Sequence, residues 1–162
     1  MRLLTAFVFV VLLLDASSVI ARSSSDWSET DPSVNLTHIF LGEINKKGKA
    51  TGLHHLKGGQ PTQNARLKKI LSTANRFGIY TAMIQIRDLK NNTWKEKFSS
   101  MFPNTYSKQQ VLDVILKAYR NADLRKGQKW GGPSGKGYRI EGYLLRDGRI
   151  ITAYPIYRKT TP

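Results

Sequence analysis

Three histidines fall inside one short stretch, THIFLGEINKKGKATGLHH, and the chain has no others. His38 and His54 stand on either side of a basic, glycine-containing turn, and His55 follows directly. An imidazole titrates near pH 6.5, so of two converging rings one can be neutral while the other is protonated. Such a pair suits RNA self-cleavage: one ring takes the proton of a 2′-hydroxyl and the other protonates the departing 5′-oxygen. A nearby lysine would stabilise the charge that builds on the phosphorus oxygens. Two plainer readings compete, a histidine-held metal and a strand pair that happens to contain histidine. Neither an HExxH nor a His-x-His spacing is present, which weakens the metal.

Other chemistries have less support. The chain has no cysteine, which removes disulfides, thiolate nucleophiles and cysteine metal sites together. Its eleven acidic residues include no close pair suited to glycoside hydrolysis. No glycine-rich phosphate loop and no nucleophile-elbow pattern occurs, so nucleotide hydrolysis and serine-esterase chemistry lack a motif.

The elements that must position these groups can be read in outline. The histidine stretch reads as two strands about the NKKGK turn, a hairpin that would set His38 and His54 on neighbouring strands. Leu67, Ile70, Leu71 and Ala74 have helical spacing, so a short helix is expected there. Tyr80, Ala82, Ile84 and Ile86 alternate on one face of a half-buried strand, and Asn91-Asn92 turns it into a partner, TWKEKFSSMF. Ser107 precedes Gln110 at capping-box spacing, and Val111, Val114, Ile115 and Ala118 form an apolar stripe, predicting a helix from about Ser107 to Asn121. Residues 126–137, KGQKWGGPSGKG, read as a mobile glycine-rich loop whose lysines and tryptophan either contact RNA or merely connect. Asp147-Gly148 closes a second hairpin, pairing Arg146 with Arg149 and setting Tyr143 opposite Thr152. The expected fold is α+β, with antiparallel sheets built from hairpins and one well-defined helix.

At 162 residues the chain has room for one domain. Arg2, the apolar run Leu3 to Leu14 and the small residues ahead of Arg22 read as a secretory signal peptide over residues 1–21, which implies secretion to the extracellular side. The apolar run is too short to span a bilayer, so stable membrane insertion is not expected. Residues 22–36 read as an extended lead-in outside the core, and residues 37–162 as the domain proper. The leader carries Arg2 and Asp15, so its removal preserves the formal charge of +15. Such a charge implies a polyanionic partner, either nucleic acid, glycan or an anionic surface.

The blocks then resemble a known family. THIFLGEINKKGKATGLHH is similar to the signature of the EndoU, or poly(U)-specific, endoribonucleases, in which a His-x-Phe-x-Gly-Glu segment leads through a basic turn to Gly-x-His. KEKFSSMFP with the following helix resembles the family's lysine strand, and ITAYPIY its C-terminal Thr-Ala-Tyr strand. The size resembles the compact bacterial form often found as a toxin domain. The resemblance implies a ribonuclease A-like catalytic domain that cleaves single-stranded RNA after uridine to leave a 2′,3′-cyclic phosphate. No cofactor is implied beyond stimulation by Mn²⁺ in some members, and the chain is expected as a monomer that a cognate immunity or inhibitor protein could block. Carried over by position, His54 is the general base and His38 the general acid. The catalytic lysine is Lys97 or Lys95, with Lys97 preferred because it stands nearer the serine turn, and Lys95 then contacts substrate. Thr152 would read the uracil edge and Tyr154 position the base or ribose, with His55 a supporting neighbour. Glu43 either orients a nearby group or has no role. The alternative is a non-catalytic basic protein that binds RNA, glycan or bacterial surfaces.

Overall fold

The structure, a computed structural model, describes residues 26–159. The signal-peptide reading therefore lies outside the described residues. Within them the fold is α+β as expected: three antiparallel sheets and one principal helix. Strands β1 (Glu43–Ile44) and β2 (Ala50–Thr51) form a small hairpin. Strands β3 (Ala65–Ser72), β4 (Tyr80–Asp88) and β5 (Thr93–Met101) form a meander in the order β3-β4-β5. Helix α1 (Lys108–Arg120) follows, and β6 (Leu124–Lys126), β7 (Lys129–Pro133), β8 (Arg139–Leu144) and β9 (Ile150–Pro155) form a second meander.

Helix α1 forms where the apolar stripe predicts it. The Ser107 hydroxyl accepts the Gln110 backbone N–H at 3.1 Å while the Gln110 side chain accepts from the Ser107 N–H at 2.8 Å, a reciprocal cap. Val111, Val114, Ile115 and Ala118 are buried against β7 and β8. This core also holds Phe102, Trp130, Ile140 and Ile150. A second core lies under the first meander, where β4 turns Tyr80, Ala82, Ile84 and Ile86 inward onto Leu53, Leu56 and Met101.

Five expectations are corrected. Residues 65–72 are a strand, not a helix: the register against β4 shifts after Leu67 and again after Ile70, and these bulges imitate helical spacing. Ile70 and Leu71 accordingly point to solvent. Residues 126–137 are not a mobile loop, because they supply the last residue of β6 and all of β7. Trp130 is buried edge-on to the Tyr119 ring at 5.3 Å, so it cannot stack on RNA. A Cβ at Gly132 would run into the Ala118 carbonyl, so glycine here admits the helix rather than conferring mobility. The second hairpin does set Tyr143 opposite Thr152, but Leu145, not Arg146, bonds to Arg149 because the turn takes one more residue and a bulge follows. The lead-in sends Val34 into the core, bridged in parallel to Ile150. Finally, the first hairpin keeps only β1 and β2, and Thr37–Leu41 winds into a π-helical turn. Ile39 and Phe40 are both buried, and two successive inward side chains cannot be met by a strand's alternation.

Candidate active site

The two histidines arrive from different cores. The turn that carries His38 belongs with Ile39 and Phe40 to the core under α1, whereas His54 follows Leu53 of the core under β4. Backbone bonds join the two segments at that seam. The Leu53 N–H donates to the His38 carbonyl at 2.7 Å, and the His54 N–H donates to the Ile39 carbonyl at 2.8 Å. Phe102 in turn donates to the His54 carbonyl at 2.8 Å, which ties the segment to the end of β5. Gly52 makes this approach possible: its φ is +71°, and a Cβ there would strike the His38 carbonyl. Leu53 also has a positive φ, +56°, so consecutive left-handed residues aim His54 away from its own chain.

The imidazole centroids of His38 and His54 stand 6.1 Å apart, a separation that one phosphodiester can bridge with a hydrogen bond to each ring. His54 Nδ1 lies 3.0 Å from the Ser100 carbonyl oxygen and 3.1 Å from the Ser99 hydroxyl oxygen. A carbonyl can only accept, so the ring proton sits on Nδ1 and Nε2 keeps its lone pair. Burial pushes the His54 pKa down to about 3, helped by the Lys97 charge. That ring is neutral across the physiological range. His38 Nδ1 pairs with the Glu43 carboxylate at 2.7 Å. Burial lowers its pKa too, Glu43 opposes the fall by hydrogen bond and charge, and Lys97 adds to it.

Lys97 is the third group. Its ammonium donates to the Gly52 carbonyl at 2.7 Å and stands 3.5 Å from the Ser99 hydroxyl, and burial lowers its pKa to about 8. Lys95 lies two residues up the same face of β5, opposite Ile86, and its charge acts on Asp88 instead. Geometry thus puts Lys97, and not Lys95, beside the imidazoles. The Tyr154 ring stands 5.6 Å from the His54 ring, and Thr152 shares its face of β9. His55 does not join them. It is buried, edge-on to Phe40 at 5.7 Å, with a pKa lowered by burial. Its position against Phe40 sets it apart from the pair formed by His38 and His54.

Together the histidines, lysine and tyrosine match the order in which the sequence presents its three blocks. The chain from residue 33 to residue 157 matches the profile of the bacterial EndoU nucleases. The chain belongs to the bacterial EndoU nuclease family. A Bacillus cereus protein named "Toxin" is 35% identical over 123 residues, which is 74% of this chain and 22% of that protein. The chain therefore spans about a fifth of the length of that relative. No solved structure matches.

In this EndoU nuclease domain, sequence reasoning missed Ser99 and Ser100, and of the two readings it left open for Glu43 the contact with His38 favours the orienting one. The serines two and three residues after Lys97 were a usable signal, since hydroxyls close to a lysine on the same strand can serve as its hydrogen-bond partners. Among the described residues no group of three or more histidine and acidic side chains converges, and the Lys97 ammonium opposes a divalent cation at this place. The donor set does not fit Mn²⁺. Among the described residues, no helix is long and apolar enough to cross a membrane.

Proposed function

We propose that this nuclease is a secreted endoribonuclease that cleaves single-stranded RNA at uridylates by transesterification. The observation that carries the reading is the convergence of His38, His54 and Lys97 beside Tyr154. His54 Nε2 accepts the 2′-hydroxyl proton as O2′ attacks phosphorus. The P–O5′ bond breaks, and His38 Nε2–H delivers its proton to the leaving O5′. The products are a 2′,3′-cyclic phosphate and a free 5′-hydroxyl. Lys97 offsets the extra negative charge on the phosphorus oxygens during the exchange. Thr152 and Tyr154 face the base, which a hydroxyl can read by hydrogen bond and a ring by stacking. No step calls on a metal, and chelation is expected to leave the rate unchanged.

A uridine-containing dinucleotide tests the reading. Wild type should release a cyclic phosphate end, and His54→Ala should fall by at least about a hundredfold. Retained cleavage in His54→Ala would remove His54 from the mechanism. RNA binding without cleavage by wild type would favour a non-catalytic basic binding protein. A toxin role, restrained by a cognate inhibitor, is a further part of this proposal that the name of the Bacillus cereus relative supports.

A further inference from the structure

Outside the site, the most unusual surface is the outward face of the β3-β4-β5 sheet. Its register puts Met83 opposite Phe98 and Arg87 opposite Trp94, with Arg66 opposite Gln85 on the other side. A sheet face left to water normally carries short polar groups, yet Phe98 is 56% exposed. The Arg66 guanidinium lies 4.1 Å over the Trp94 ring. Cations outnumber acids here: Lys68 is paired with Glu96 at 2.6 Å, while Arg66, Lys69 and Arg87 have no carboxylate hydrogen-bond partner among the described residues.

This face is continuous with the catalytic cleft. A cavity of about 540 Å³ has His54 and Tyr154 on one side and Phe98, Ser72 and Thr81 on the other, wrapping the end of β5. Phe98 and Trp94 are four residues apart on one face, about 13 Å along the strand. An aromatic every few nucleotides with cations between them is the chemistry that holds single-stranded nucleic acid without reading its sequence.

We propose that the outward face of β3-β4-β5, reached from His54 through this cavity, binds the single-stranded RNA that flanks the scissile nucleotide. The assignment rests on the nuclease reading for the identity of the polymer. Bases stack on Phe98 and on the Trp94–Arg66 pair, and phosphates meet Lys69 and Arg87.

The test compares a dinucleotide with an oligonucleotide of roughly ten residues carrying the same single uridine. Two variants are used: Trp94→Ala with Arg66→Gln, and Lys69→Gln with Arg87→Gln, the second removing two charges while keeping both aromatic rings, with denaturant unfolding as a check because Arg87 also donates to Asn92. Wild type should cleave the oligonucleotide with the lower KM. Either variant should raise that KM about tenfold while leaving dinucleotide cleavage unchanged. The slope of log affinity against log salt should shrink by about 0.7 per cation removed. Unchanged oligonucleotide KM and salt slope in both variants would overturn the proposal. If wild type cleaves neither substrate, the nuclease reading fails instead, and fluorescence anisotropy of the same oligonucleotide with the same variants still decides whether this face binds RNA.

Discussion

The Glu43 carboxylate and the Lys97 ammonium pull on the His38 imidazole in opposite directions, and burial sides with the lysine. If His38 is the acid, activity declines as pH rises through its pKa, which lies below the ordinary 6.5. His54, at about 3, is already in its basic form over that whole range. The kcat/KM profile should therefore be a plateau on the acid side with its alkaline limb below pH 6.5, rather than the bell centred at neutrality that two unperturbed histidines would give. Glu43→Gln should move this limb to lower pH and reduce kcat/KM at pH 7 on the order of tenfold, with a smaller loss at pH 5. A limb that stays in place would show that Glu43 does not hold the proton on His38.

At the scale of elements, the site depends on a glycine rather than on a strand. Gly52 lets the segment before His54 pass against the turn that carries His38, and its carbonyl receives the Lys97 ammonium. Gly52→Ala puts a methyl group into the His38 carbonyl and an L residue at a left-handed φ, so the two segments must separate. Loss of roughly 2 kcal/mol of stability is expected, with a fall in kcat larger than the fall in folded fraction accounts for. Denaturant unfolding alongside dinucleotide cleavage measures both. Normal kcat in a stably folded Gly52→Ala protein would show that the imidazole spacing is not set here.

For the whole molecule, the buried histidines join stability to pH. A folded-state pKa held below its unfolded value means that the unfolded chain binds more protons between the two, so stability rises with pH over that window. For His54 the window runs from about 3 to 6.5, and His38 and His55 act in the same direction. Acidification from pH 7 to pH 4 should lower Tm at fixed ionic strength, with His54 alone contributing on the order of a few kcal/mol. His54→Gln should flatten that slope, and equal slopes in the two proteins would remove His54 as its source. The molecule thus becomes least stable on the side of the pH range where its proposed acid is protonated.

Some of this was present in the residues taken one at a time. Composition removes thiol chemistry, the capping box and stripe fix α1, strict alternation fixes β4, and the three ordered blocks single out His38, His54, one of the two lysines Lys95 and Lys97, Thr152 and Tyr154. These signals are local, or depend on side-chain identity alone. The misreadings arose where local pattern and tertiary packing disagree. Bulges gave β3 a helical spacing, glycines that admit a helix looked like a loop around Trp130, and neighbouring buried residues turned the His38 segment into a helical turn. Choosing Lys97 over Lys95, turning His55 inward and setting the imidazoles beside a buried ammonium required two hydrophobic cores to meet at one seam. Burial and distance between segments far apart in sequence are properties of that packing, and they shift the protonation of His38, His54 and Lys97.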